Sequence, residues 1–312
     1  MARFLFSRFL QSIVVLFAIL TVTFFLARFA PGSPFTEEKR VPAHIVEKTK
    51  ELYGFNKPIH EQYLIRLGSY ARLDLGESFG NKGYKVVEVI KQALPVSLAV
   101  GMGGLLFALV FGIPIGVLSA ARQNSATDYS LMSVAMIGIC LPTFVIGPML
   151  AIIVGIKLDW LPAVSWWNPS IDWILPAMTL GIFYGAYIAR LARAGMLEIL
   201  HQDYIRTARA KGLSETRILL THALKGGLVP VVSYLGPAVA GLIGGSIVME
   251  RIFQLPGLGQ QIINAASNRD YPLIDGTVLT YGILIVTMNF ISDLLLVVLN
   301  PRQRAQSQTA ST

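Results

Sequence analysis

Little in this sequence can hold a metal, close a disulfide or carry charge through an interior. Its 312 residues include one cysteine, Cys140, set inside an apolar run. That excludes a disulfide framework and a cysteine-based metal centre. The four histidines (His44, His60, His201, His222) are scattered without ligand spacing, so no metal site is expected. His-Glu-x-x-His, the zinc-protease signature, is absent, and so is Gly-x-x-x-x-Gly-Lys-Ser/Thr, the loop that cradles nucleotide phosphates. Charged residues make up only 14% of the chain, against about 25% in soluble domains.

What is present is hydrophobic: 54% of the residues, with a mean hydropathy of +0.58. Six apolar runs stand out, at Phe9–Ala27, Leu94–Ala121, Leu131–Ile156, Trp173–Ala189, Leu228–Met249 and Gly276–Ser292. About 20 apolar residues span a bilayer core as a helix, so the expected fold is an all-α polytopic membrane protein with six transmembrane helices. The first run follows Arg3 and Arg8 but is longer than a leader's ~7–15 apolar residues, so it is expected to stay as a span. The net charge of +8 sits in short segments between runs, where it sets topology rather than binding nucleic acid.

The chain divides into an N-terminus with the first helix (1–29), a polar outer loop (30–92), a core of five further helices (93–299) and a polar tail expected to be disordered (300–312). Within the outer loop, Val41–Tyr53 and Ile59–Leu73 have helical spacing, and Leu52, Tyr53, Tyr63, Leu67 and Tyr70 are expected to pack locally into a small cap. Trp160, Trp166 and Trp167 between the third and fourth runs suit a membrane interface. With the N-terminus in the cytoplasm, the inner segments carry Arg3, Arg8, Arg122, the basic residues from Arg190 to Lys225, and Arg302 and Arg304. The short outer loops carry only Lys157, Arg251 and Arg269. The long first loop is left out, because the rule weakens near 60 residues; both termini are then expected inside.

None of the runs has Asp, Glu, Lys or Arg in its interior, and Glu250 and Asp293 fall at ends. Intramembrane ionisable groups mark proton relays and ion-coupled carriers, so that class is disfavoured. Lacking a phosphate loop, the chain would need another subunit to supply energy for uphill transport. Gly112 and Gly116, and Gly181 and Gly185, place small residues four apart for close helix approach. Pro114, Pro142, Pro148, Pro176 and Pro237 are sites for kinks.

One polar island, Asp203 to Pro230, overlapping the inner loop 196–228, breaks the apolar pattern. Arg206, Arg209, Lys211, Arg217 and Lys225 face only Asp203 and Glu215. Glu198–Lys211 has helical spacing, Gly212 can take positive φ and end that helix, Ser214 suits the next N-cap, and Glu215 suits its first turn. Two short helices at an angle, with small Ala208 and Ala210 near the bend, form a knob that fits a partner's groove. The residues alone leave a second use open: an interfacial segment attracted to anionic lipid.

The island resembles the Glu-Ala-Ala loop of ATP-binding-cassette importer permeases, in the form of the dipeptide, oligopeptide and nickel branch. Arg206-Thr207-Ala208-Arg209-Ala210-Lys211-Gly212 carries the likeness, with His222-Ala223-Leu224 and Leu228-Val229-Pro230. Arg206-Thr207-Ala208 stands where Glu-Ala-Ala would be, a departure shared by the branch. Arg28–Phe35, Gln62-Tyr63, Asp74-Leu75-Gly76-Glu77-Ser78-Phe79, Leu255–Gln260, Asn268–Tyr271 and Asn300-Pro301 resemble the same branch in order along the chain, most like the B-type permeases of oligopeptide importers.

The resemblance implies a type I importer permease fold with a helical periplasmic loop between helices 1 and 2, in the bacterial inner membrane. It implies a homologous second permease, two ATPase subunits holding ATP and Mg²⁺, a periplasmic peptide-binding protein, and no catalysis or cofactor in this chain. Asp203, Arg206, Thr207, Ala208, Ala210, Lys211, Gly212, Ser214 and Glu215 would couple to an ATPase. Asp74, Gly76, Ser78, Leu255, Pro256, Gly257, Asn268 and Asp270 would lie in loops facing the binding protein. The other readings are a self-sufficient ion-coupled carrier or channel, or an importer of dipeptides or nickel. No residue is assigned to substrate contact.

Overall fold

The computed structural model describes residues 2–30, 54–81, 83–164 and 167–299. The expected helix Val41–Tyr53 and the polar tail lie outside them, as does Trp166. Described elements are α1 (Ala2–Phe29), α2 (Ile59–Ala71), α3 (Val86–Ala121), α4 (Ala126–Cys140), α5 (Thr143–Leu150), α6 (Ile174–Leu200), α7 (Asp203–Ala210), α8 (Val229–Ile252), α9 (Leu258–Asn268) and α10 (Tyr271–Leu299). Two π-helical stretches, Ala151–Lys157 and Ile218–Ala223, follow α5 and α7. Among the described residues the sole β pairing is an isolated bridge between Glu77 and Lys85.

Among the described residues, five helices are long and apolar enough to cross a membrane: α1, α3, α6, α8 and α10. The third apolar run is not one straight helix. It breaks between α4 and α5 with a bend of 102°. Pro142 causes the break, since it has no N–H to donate and forces Leu141 into the extended region (φ −85°, ψ 125°). The bent pair nevertheless crosses. Gly104, Gly112 and Gly116 of α3 lie against Ala177, Gly185 and Ala189 of α6, so these two helices run in the same direction. The chain between them must therefore return to the opposite side. It does so along α6, with Asp128 beside Arg193, Gly138 beside Ala186, and Gly147 beside Thr179. The count of six crossings stands, one of them broken.

α3 and α6 form the spine. A Cβ on Gly112 would sit 2.5 Å from the Gly185 carbonyl oxygen, so the backbones approach as the small-residue spacing predicts. The largest core cluster packs Val96, Val100 and Leu105 of α3 against Leu175 and Leu180 of α6 and Val239, Leu242 and Met249 of α8. α1 is peripheral, holding on through α10, and exposes Phe9, Leu10, Ile13, Val14 and Phe17, a face suited to lipid. Trp160 is exposed as an interfacial ring would be, whereas Trp167 and Trp173 pack against the main core.

Tyr63 and Tyr70 of the expected local cap reach beyond the loop. α2 buries none of its residues. Tyr63 reaches α1, packing on Phe24 and Phe25 and bonding to Thr21 at 2.8 Å, while Tyr70 donates to Asp275 of α10 at 2.6 Å. Among the described residues the loop is anchored by the transmembrane helices, with Phe55 and Phe79 also in contact within it; Leu52 and Tyr53 of the expected cap lie outside those residues.

Candidate functional site

At the end of α6 the island begins one turn later than its spacing predicts. The helix expected over Glu198–Lys211 is interrupted at His201 and Gln202, with Gln202 extended (φ −72°, ψ 151°), and α7 restarts at Asp203. The interruption lets α7 turn away from α6 while Ile205 and Ala208 stay buried. They join Ala120 of α3, Met196 and Leu200 of α6, and Ile218 and Ala223 in one cluster. Burying such aliphatic groups contributes roughly 1.5–3 kcal/mol per large side chain, enough to hold the island rigidly on α3 and α6.

Gly212 has φ +78°, as its position requires. Its N–H donates to the Arg209 carbonyl at 2.9 Å and the Leu213 N–H to the Ala208 carbonyl at 3.3 Å. These paired bonds are the Schellman pattern, and Leu213 completes it by packing on the cluster that holds Ala208. A Cβ at Gly212 would meet nothing within 4 Å, so backbone conformation, not space, calls for glycine. Ser214 caps the next helix through its backbone, accepting from the Ile218 N–H at 3.0 Å, with no side-chain cap bond.

Glu215 stands in the first turn of its helix, Glu215–Arg217, and its side chain also reaches back across the bend. Arg209 donates to it twice, at 2.7 and 3.2 Å. The guanidinium holds the Glu215 carboxyl below its ordinary pKa, and the carboxylate raises that of Arg209. The knob's outer face is exposed: Asp203, Arg206, Thr207, Ala210, Lys211, Gly212 and Ser214. Arg206 pairs with Asp203 at 3.4 Å, with both side chains largely in solvent. Arg209, Glu215, Arg122, Gln123 and His201 line a cleft of about 590 Å³ between the knob and the α3–α4 turn.

A second brace stands just above the knob. Arg193 of α6 donates to Asp128 at 2.8 and 2.7 Å, and Asp128 also accepts from the Ser119 hydroxyl and from the Asn124 N–H. Asp128 is 1% exposed. It ties the ends of α3, α4 and α6 together.

On the opposite side, the predicted outer residues separate into two groups. Asp74, Pro256 and Asn268 are exposed and Gly76 is half-buried. Ser78, Leu255, Gly257 and Asp270 are buried and work inward. Asp270 accepts from the Ser78 hydroxyl at 2.5 Å and from the Gly80 N–H at 2.9 Å, which pins the first outer loop to the α9–α10 corner.

Leu255–Gln260 forms the start of α9 around a buried carboxylate that sequence reasoning placed only at a run's end. Glu250 accepts from the Gly259 and Gln260 N–H groups at 2.7 and 3.3 Å and from the Ser97 hydroxyl at 2.7 Å. Ser97 in turn accepts from the Leu258 N–H at 2.8 Å. An anion at a helix N-terminus satisfies donors the helix leaves unpaired. The glycine spacing was the available signal, since a side chain at 257 or 259 would occupy the carboxylate's place. No cluster of metal-ligating side chains occurs among the described residues.

Comparison with known proteins agrees with this architecture. Residues 112–305 match the family of binding-protein-dependent transport system inner membrane components, and residues 1–101 match its N-terminal region. The oligopeptide transport system permease protein OppB of Haemophilus influenzae is 44% identical over 97% of this chain and all of that one. Escherichia coli OppB is 43% identical over the same shares. The dipeptide transport system permease protein DppB of Bacillus subtilis is 38% identical over 97% of this chain and 98% of its own. In fold, the chain is similar to an inward-facing structure of the MetNI methionine ABC transporter, with a TM-score of 0.58 at 18% identity over 69% of this chain and 97% of that one. With both family regions matched in order and relatives aligned nearly end to end, the chain belongs to the inner membrane component family of binding-protein-dependent transport systems.

Proposed function

We propose that this chain is a non-catalytic permease subunit of an ATP-driven importer that moves oligopeptides across the bacterial inner membrane. Both termini then lie in the cytoplasm, with the island beside them and the α9 corner in the periplasm. Its partners are a homologous second permease, two ATPase subunits that carry ATP and Mg²⁺, and a periplasmic peptide-binding protein. Full-length similarity to oligopeptide permeases supports the cargo.

One observation carries the mechanism: the knob is exposed on its outer face and fused to α3 and α6 on its inner face. The exposed residues from Asp203 to Lys211, with Gly212 and Ser214, seat in a groove of the ATPase. When the ATPases close on ATP, a knob without internal slack moves as one piece with the α6 end. The Asp128–Arg193 brace passes that movement to α3 and α4. On the outer side, Asp74, Pro256 and Asn268 meet the binding protein, while the Asp270 and Glu250 networks keep the loops that present them in place.

Reconstitution tests this reading against a self-sufficient carrier. Labelled oligopeptide should accumulate in proteoliposomes only with the second permease, the ATPases, the binding protein and ATP present. Accumulation driven by this chain alone, under an ion gradient, would rule the reading out.

A further inference from the structure

The peptide-import reading leaves the route of the cargo unassigned, and the exposed stripe of α6 bears on it. α6 is the most enclosed of the long helices. Its exposed residues are Arg190, Ala194 and Glu198, spaced four apart on one face, and the half-buried Phe183 and Tyr187 continue that face towards the middle. A lipid-facing stripe looks different, as the aliphatic and aromatic exposures of α1 show. Arg190 lies ten residues, about 15 Å, before the helix ends at Leu200 and directly after the apolar run Trp173–Ala189, so it stands at the inner end of the span.

Arg190 also differs from its neighbour one turn away. Arg193 has Asp128. The five ion pairs among the described residues leave Arg190 without a carboxylate. Its guanidinium stands 5.8 Å from the ring centre of Tyr187, which lies 4.5 Å from the ring of Tyr234 on α8. Beside Tyr234, α8 uncovers Ser233 and Pro237, and further along the same face Gly244 and Val248, so the stretch next to the tyrosines carries no large aliphatic side chain. A guanidinium without a carboxylate partner at this depth calls for water or an anion, which suits a face turned to an aqueous route rather than to hydrocarbon.

We infer that Arg190, with the Tyr187–Tyr234 pair, lines the cargo route and receives the peptide's free C-terminal carboxylate at the inner end of the span. This rests on the peptide-import reading. A guanidinium matches a carboxylate with two parallel hydrogen bonds. The aromatic rings offer flat faces to peptide planes without reading side chains. Such a site recognises what every unmodified peptide shares, which suits a route for many sequences.

The test uses the whole transporter in cells lacking their own copy of this subunit. Uptake of one labelled tetrapeptide is compared with that of its C-terminal amide, for the wild type, Arg190→Gln and Arg190→Lys, with membrane abundance of each variant checked. Losing one charged hydrogen-bond partner should lower uptake of the free acid about tenfold in Arg190→Gln, while uptake of the amide changes by less than about twofold. Arg190→Lys, which keeps the charge but loses the fork, should fall between and carries the comparison if the glutamine variant fails to assemble. Equal losses for both peptides overturn the inference, assigning Arg190 to a lipid phosphate or to a carboxylate of the second permease. Unchanged uptake of both overturns it as well. Failure of the wild type to take up either peptide would instead remove the import reading itself.

Discussion

Arg209 and Glu215 clasp each other across the turn at Gly212, with Nε to Oε1 at 2.7 Å and Nη2 to Oε2 at 3.2 Å. The pair joins the helix before the bend to the helix after it, so it sets the angle between them. Both side chains are substantially exposed, and exposed pairs contribute only about 0.2–1 kcal/mol. Glu215→Gln should therefore leave the protein folded, with its melting temperature shifted little. Its effect belongs on the angle: ATP hydrolysed per peptide imported should rise, and Arg209→Glu with Glu215→Arg should restore it. A swap that restores nothing would show that the two residues act separately on the ATPase.

The same pair has a direction in pH. Arg209 holds the Glu215 carboxyl below its ordinary range, so the pair's contribution is present above the unfolded glutamate pKa of about 4.3 and is lost as pH falls through the lower folded value. Relative to its intrinsic rate, the Leu213 amide should lose protection only in acid, and Glu215→Gln should show the lower protection at every pH.

At Gly212 the constraint is dihedral rather than steric. An L-residue at φ +78° costs roughly 1–2 kcal/mol, Asn the least and β-branched residues the most. Uptake should fall in the order glycine, asparagine, alanine, valine, with the subunit still in the membrane. Proline should abolish coupling, because it also removes the N–H given to Arg209. Because a Cβ here meets nothing, enlarging the side chain without β-branching, as in Gly212→Lys, should cost no more than alanine does.

Asp128 and Arg193 are a stronger test of the transmission path. The Asp128 side chain is 2% exposed and that of Arg193 28%. Removing one partner of a buried pair typically costs about 3–5 kcal/mol, and the arginine's partial exposure should reduce that for Asp128→Asn. Arg193→Met should be worse, since it strands the enclosed carboxylate. The double variant should recover much of the stability in a thermal melt, yet import slowly, because packing replaces charge but not the two-point grip between α4 and α6.

Much of this was legible because it depends on short-range chemistry. Run length gave the crossings, small residues four apart gave the α3–α6 contact, and Gly212 announced its own conformation. What escaped reading depends on distant partners. Pro142 was a visible kink site, but the 102° bend reflects how α4 and α5 each follow α6. Glu215 is the first-turn acid its position announces, but nothing in its neighbourhood names Arg209 as its partner. Ser78, Leu255 and Gly257 sat in loops that read as surface, and only the folded corner turns them inward. Asp128 lay in the short polar connection before Leu131 and Glu250 at a run's end, where charge is ordinarily solvated.

Glu250 provides the last prediction, through the two glycines over it. An added Cβ at Gly257 would come 2.3 Å from the carboxylate, the far end of a side chain already held by Ser97 and the Gly259 N–H. At Gly259 it would come 2.5 Å from the Ile247 Cα, which is backbone of α8 and cannot step aside. Gly259→Ala should therefore destabilise more than Gly257→Ala, both within the roughly 1–3 kcal/mol of overpacked sites. Glu250→Gln keeps the shape and one acceptor, so its loss should stay near that of a single hydrogen bond, about 1 kcal/mol. Glu250→Leu strands the N–H groups of Gly259 and Gln260 and the Ser97 hydroxyl, at about 1–3 kcal/mol for each. Thermal melts should rank leucine far below glutamine. If the corner presents the outer loop, affinity for the peptide-loaded binding protein should follow that order; equal docking by all four variants would separate the α9 corner from the partner.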